Sequence, residues 1–288
     1  MSEIVSEISL IDKDFRKDAT YRYALFIQLL NDSLGYCILD ISQNKFLVLE
    51  SFSFKSSDDA ELQCEAYKEI IDKSENLKYV YKQVKVVYHG HKSTIVPAPL
   101  FDEKEIKTYL KFTEKLPNDF EIVANKLNAV DAHCIYALPE CLKKIFNEFF
   151  PNHKLYSASI VMIENLLLNF KHQVNEKKVF VNVHSSQFEI LIMEGKKLLL
   201  YNSFLFKSPE EFIYYILFVI EQMDLNPENV DVTILGEIIA ESQLYEVLYK
   251  YIRNIHFINR TESFNYCESL NTIPPHHFYS LFNLNLCE

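Results

Sequence analysis

Two histidine pairs are the first residues with metal-binding chemistry. His89 and His91 flank Gly90 after an apolar run, and His276-His277 follow Pro274-Pro275. A zinc or iron site needs further His, Cys or carboxylate ligands at suitable spacing, and neither pair brings a third or fourth. The pattern predicts loop or capping histidines and no metal site. His133 and Cys134 are sequence neighbours, so on a strand they point to opposite faces and make a poor thiol–imidazole dyad. The acidic pairs Asp58-Asp59 and Glu210-Glu211 suit the first turns of helices, where the backbone dipole attracts carboxylates. Six scattered cysteines form no CxxC pair. Cys37 and Cys134 lie in apolar runs, where a thiol acts as a small hydrophobe. No residue is assigned a catalytic role.

Only four glycines accompany 18 tyrosines and 22 phenylalanines, so few places exist where backbone can close directly on a ligand. The net charge of −11 repels phosphate backbones and anionic lipid, which disfavours nucleic-acid and membrane-surface binding. Lys196-Lys197 is a solvated turn pair rather than a basic patch. The opening MSEIVSEISLIDKDF is acidic and lacks the apolar centre of a secretory leader. The longest apolar run, Phe212 to Ile220, is nine residues, far short of a bilayer span. These features predict no membrane insertion and a reduced, cytoplasmic setting. Being apolar all round, the same run predicts a helix buried against a sheet.

The elements that must position any site occur twice. Ala24 to Ile27, Tyr36 to Ile41 and Lys45 to Phe54 read as three strands, followed by a helix capped near Ser56-Ser57 and a fourth strand, Gln83 to Tyr88. Val179 to Val183, Phe188 to Glu194 and Lys197 to Phe206 read the same way. Ser208-Pro209-Glu210-Glu211 then caps a helix, and Val230 to Leu235 is the fourth strand. SFSFKSSDD from Ser51 matches SFLFKSPEE from Ser203 at an offset of 152, and Gly90 falls opposite Gly236. Between the copies lie the segment Thr94 to Phe101, a helix from Asp102 to Phe112, a hairpin-like pair (Phe120 to Asn125, Ala132 to Ala137) and a helix from Pro139 to Phe150. A strand, Lys154 to Ser157, and a helix, Ile160 to Phe170, complete the first half. After Gly236 come a helix from Glu241 to Tyr251, a strand from His256 to Ile258 and a closing helix from His276 to Asn283. This is α/β by pattern, with a period too long for a solenoid.

That order resembles the actin-like superfamily: actin, sugar kinases, heat-shock ATPases and cell-division and pilus-assembly proteins. The resemblance implies two duplicated ribonuclease-H-like domains with mixed five-stranded sheets flanked by helices, here residues 1–172 and 173–288. The stretches LGYCILDISQNKFLVLE, STIVPAPLF and PPHHFYSLFNLNLCE more closely resemble an uncharacterised Bacteroidetes-type family, number 3822 among the domains of unknown function.

The superfamily holds nucleotide between its domains with Asp-x-Gly phosphate loops and a glycine-rich adenosine loop, because amides approach phosphate closely where side chains are absent. Here the first loop is Asn31-Asp32-Ser33, with Gly35 displaced into the next strand. The second is Asn182-Val183-His184-Ser185-Ser186, with an amide for the carboxylate and an imidazole for the glycine. The third has Gly236 followed by Glu237. Degraded loops imply a pseudo-ATPase with no required cofactor: a bacterial cytoplasmic binding or scaffold protein with a protein partner. Two other readings are a divergent ATPase or kinase using ATP and magnesium, and a sensor that binds a nucleotide or small ligand without turnover. The remaining loop residues could contact a polar ligand, or simply form tight turns.

Overall fold

The computed structural model describes residues 4–57, 59–90, 92–111, 119–170 and 176–287. Its first half contains β1 (Val5–Ile11), β2 (Tyr23–Leu30), β3 (Ser33–Asp40), β4 (Lys45–Ser53), α1 (Ala60–Lys73) and β5 (Gln83–Tyr88). Next come β6 (Ser93–Pro97), α2 (Ile106–Lys111), β7 (Phe120–Lys126), β8 (Ala132–Pro139), α3 (Glu140–Phe149), β9 (His153–Ser157) and α4 (Ala158–Phe170). The second half contains β10 (Lys178–Val183), β11 (Gln187–Glu194), β12 (Lys197–Leu205), α5 (Pro209–Gln222), β13 (Asp231–Gly236), α6 (Gln243–Tyr251), β14 (Asn254–Phe257), β15 (Asn265–Tyr266) and α7 (Tyr279–Asn283).

The internal repeat is a repeat of topology. One sheet runs β4-β3-β2-β5-β9 and the other β12-β11-β10-β13-β14. In each, three antiparallel strands lead into two parallel ones. The shared Ser-Phe-x-Phe-Lys-Ser segment does the same job in both. The Phe54 N–H donates to the Asp32 carbonyl (2.8 Å) and the Phe206 N–H to the Ser186 carbonyl (3.0 Å). Each phenylalanine then packs on the following helix, Phe54 on Tyr67 and Phe206 on Phe212, with ring centroids 5.4 and 5.2 Å apart. A polar loop is thereby tied to the end of the third strand in each copy.

The first sheet has seven strands rather than the expected five, because β1 and β15 share the outer edge of β4. The strand β1 comes from the acidic opening segment; it is mostly exposed, so its sequence lacks the apolar run of an inner strand. Between β5 and β9 the chain forms a third sheet, β6-β8-β7, closed by Leu110 of α2 against Val96, Ile135 and Ala137. The expected hairpin is β7–β8. The predicted end of α2 at Phe112 lies outside the described residues, as do Asp58, His91 and the proposed 172/173 domain boundary.

Strand periodicity explains how the halves join. Val179, Val181, Phe188, Ile190, Val232 and Ile234 pack with Phe212, Ile216 and Leu248 of α5 and α6. The alternate residues Phe180, Leu191, Met193 and Leu235 belong instead to the large core of the first half, with Ile163 and Leu166 of α4. Successive strand residues face opposite ways, so one sheet serves both cores. The α5 helix is only half covered: Phe212, Ile216 and Ile220 are buried, but Tyr214 and Phe218 are 61% and 46% exposed. The expectation of a wholly buried helix is corrected, because only one side of α5 meets a sheet.

The stretch after Phe257 leaves the second sheet. Phe46 of β4 is ringed by Phe264, Tyr266 and Phe282 at 5.2, 5.5 and 4.9 Å between centroids. Residues from Phe264 onward, placed by sequence in the second domain, thus complete the first core. Cys64 and Cys141 form a disulfide between α1 and α3, 77 residues apart, a pairing that spacing alone could not indicate and one that departs from the wholly reduced cysteines expected. The α1 cap is Asp59, whose carboxylate accepts from the Glu61 N–H at 2.9 Å, rather than Ser56 or Ser57. Ser57 sits one step outside, its hydroxyl accepting from the Asp59 N–H at 3.1 Å.

Candidate functional site

The loops after β2 and β10 meet between the two sheets. Asn31 and Asp32 form the two-residue turn between the paired residues Leu30 and Ser33. Across the gap, Ser185 donates its hydroxyl to the Asp32 carboxylate. Ser33 donates to the other carboxylate oxygen at 3.4 Å. The second turn is closed by its own backbone, the His184 N–H donating to the Gln187 carbonyl at 2.9 Å. Ser186 supplies the carbonyl that holds Phe206. Asn31 lines a cavity of 200 Å³ that also touches Tyr88, Gly90 and Lys92.

Beneath these loops is a buried polar cluster. His89, His184 and Glu189 are 0%, 4% and 2% exposed. His89 Nδ1 lies 3.6 Å from Glu189 Oε1, and His184 Nε2 lies 3.9 Å from Glu189 Oε2. The rings meet edge to face at 4.6 Å. Asn182, also buried, donates to Glu189 Oε2 at 2.6 Å, with its amide nitrogen 3.2 Å from His184 Nε2. Tyr201 donates to Glu189 Oε1 at 3.3 Å, and Gln187 donates to the His89 carbonyl at 3.0 Å. Burial, then the neighbouring His89, push the His184 imidazole down to about 3, so it is neutral at physiological pH. Burial would raise the Glu189 carboxyl, but the two histidines and the Asn182 amide outweigh it and hold it low. Asn182 thus orients a carboxylate behind the loop.

The third loop is equally committed. Gly236 has φ +93°, and a Cβ there would fall 2.2 Å from the Val183 carbonyl oxygen. Its N–H donates to the His276 carbonyl at 2.9 Å, and the Glu237 N–H donates to the Val183 carbonyl at 2.6 Å. His276 Nε2 lies 2.6 Å from the Ile238 carbonyl oxygen. Glu237 is crowded by protein yet still open to water. Desolvation, then the charge of Asp32, raise its carboxyl to about 7. An acidic cleft wall and amides already bonded to carbonyls are poor partners for phosphate.

The eight residues expected at the cleft are thus arranged on two levels. Asn31, Asp32, Ser33, Ser185 and Ser186 form the loop layer, while Asn182 and His184 lie below it and Gly236 abuts Asn182 and Val183. Sequence reasoning found Glu237 beside Gly236 but not Glu189, Gln187 or Tyr201. Glu189 alone carried a signal, a carboxylate inside the apolar run FEILIM. His89, expected in a loop or cap, is fully buried, and its companions come from the other half of the chain.

Two facing sheets of one repeated topology, with paired loops between them, define the class: an actin-like ATPase fold. A Bacteroides thetaiotaomicron protein with that fold and unknown function superposes with TM-score 0.78 at 23% identity, covering 95% of this chain and 99% of its own. The PilM–PilN type IV pilus biogenesis complex gives 0.55 at 13% identity over 92% and 98% of the chains. The ethanolamine utilization protein EutJ from Carboxydothermus hydrogenoformans gives 0.52 at 7% identity over 92% and 90%. No curated protein matches the sequence. A family model does: residues 12–255 match the protein of unknown function DUF3822, and the chain belongs to that family. Among the described residues, no helix is long and apolar enough to cross a membrane.

Proposed function

We propose that this chain is a non-catalytic member of the actin-like fold, a pseudo-ATPase that serves as a cytoplasmic binding or scaffold protein. The observation that carries the reading is the Ser185–Asp32 hydrogen bond, which joins the two loops that the resemblance assigns to phosphate. Three features add to it. Asn182 is turned away to Glu189, His184 occupies a glycine position, and Glu237 places a second acid opposite Asp32. Phosphoryl transfer depends on cradling donors and a metal-placing carboxylate; the loop amides are already bonded to carbonyls, and the Asp32 carboxylate is engaged by Ser185. A fold relative described as part of a pilus biogenesis complex is in keeping with work through a protein partner.

Thermal unfolding with and without magnesium-ATP tests this. A ligand at 100 times its Kd adds about 2.7 kcal/mol, a shift of about 5 °C for a protein of this size. The expected result is no shift and no phosphate release. A shift with release would establish a divergent ATPase and refute the proposal; a shift without release would replace the scaffold with a nucleotide sensor.

A further inference from the structure

We propose that His89, His184 and Glu189 form a binding site for one divalent transition-metal cation, with zinc as the reference ion, that clasps the two halves of the molecule. One ligand atom from each residue lies within 4.8 Å of the others. His89 follows β5 in the first half; His184 and Glu189 flank the β10–β11 turn in the second. All three side chains are more than nine-tenths buried. Among the described residues, neither ring nitrogen of His89 has a hydrogen-bond partner. Leaving a buried polar atom unsatisfied costs about 1–3 kcal/mol, and His89 Nδ1 points at Glu189 from beyond hydrogen-bond reach at 3.6 Å.

The chemistry of the set fits such an ion. Two imidazoles and one carboxylate are nitrogen and oxygen donors suited to zinc, cobalt or ferrous iron rather than to magnesium or calcium. Tetrahedral ligands about 2.0–2.1 Å from zinc lie roughly 3.4 Å from one another. The His89–Oε1 and His184–Oε2 separations are 3.6 and 3.9 Å, and the three ligand atoms lie within 4.8 Å of one another, so binding requires the side chains to draw in around the ion. Glu189 is a buried charge whose ion-pair contacts among the described residues are these imidazoles alone, so a cation would compensate it. The outer partners are in place as well. Asn182 and Tyr201 fix the carboxylate, and Gln187 fixes the His89 backbone, the kind of support that orients metal ligands. Coordination through His184 Nε2 would displace its 3.2 Å contact with Asn182. The site is independent of whether the cleft above takes nucleotide.

The test uses the full chain, stripped with chelator and titrated with cobalt(II), then zinc(II). We expect one cobalt per chain with ligand-field bands in the visible, displaced by zinc. H89Q, H184Q and E189Q should each weaken uptake about tenfold or more, whereas H256Q, at an exposed histidine, should not. X-ray absorption on the wild-type zinc form covers the case of variants that fail to fold. Two imidazoles and a carboxylate oxygen in the first shell support the site. No stoichiometric uptake by wild type, sulfur in the first shell, or folded variants that bind as wild type does would each overturn it.

Discussion

Replacing Gly236 with alanine tests whether the third loop is held by backbone geometry or by its ligand-binding ancestry. At φ +93° an L-residue carries a penalty of about 1–2 kcal/mol. The new methyl would also meet the Val183 carbonyl oxygen at 2.2 Å and the Val183 nitrogen at 2.7 Å. Both belong to β10, which is paired on either side and cannot swing away. Relief requires parting the ends of β10 and β13, which strains the Glu237 N–H bond to Val183 and the Gly236 N–H bond to His276, each worth about 1 kcal/mol. G236A should therefore cost about 3–4 kcal/mol in urea unfolding followed by circular dichroism, with an unchanged slope. Gly90 is the comparison: its φ lies outside the left-handed region and its added methyl meets the Tyr88 ring at 2.4 Å, a side chain rather than paired strand backbone, so G90A should cost less than G236A. A G236A variant within 1 kcal/mol of wild type, or a G90A variant less stable than it, would refute the reasoning.

Two further substitutions probe the cleft acid and the docked C-terminal segment. The Glu237 carboxyl titrates near 7 in the folded chain against an ordinary 4.5. The folded state therefore holds its proton more tightly, and its contribution to stability is complete below 4.5 and lost as pH rises through about 7. E237Q should match wild type in thermal midpoint at pH 4 and exceed it at pH 8; equal offsets at both would contradict the assignment. Lys85 is 3% exposed, and its ammonium donates to the carbonyls of Leu284 (3.4 Å), Asn285 (3.2 Å) and Cys287. K85M keeps the stem but removes the donors, so about 2–3 kcal/mol should be lost. Limited proteolysis should then cut near residue 284 well before it does in wild type.

The repeat was legible because its causes are local. Alternating apolar residues mark the strands, Ser208 and Pro209 mark a helix start, and the Ser-Phe-x-Phe-Lys-Ser match recurs because both copies need the same loop tie. The strand β1 was missed because an exposed edge strand carries Ser and Glu where inner strands carry Val and Leu. The exposure of Tyr214 and Phe218 depends on what covers α5, which no residue of the helix encodes. The buried cluster was hidden by distance along the chain. Spacing rules find ligands supplied by one loop, whereas His89 meets partners about a hundred residues later, after both halves have formed. Asn182 lies near the end of β10 and His184 directly after it, and their contacts with Glu189 emerge only from the register of β10 against β11.

The ring of Phe264, Tyr266 and Phe282 around Phe46 has a bearing on how the molecule is made. One end of the first sheet's outer edge, at Lys45–Phe46, and the core around it stay open until residues more than two hundred positions further along have been synthesised. During that interval the nascent first half presents Phe46 and the Lys45–Phe46 end of the β4 edge, the part that β1 leaves uncovered, to its surroundings, while the second sheet, whose strands are all contiguous between Lys178 and Phe257, can already close. Such late, long-range completion is slow to nucleate and exposes unfinished apolar surface. It would also make the first half the part that depends most on chaperone protection.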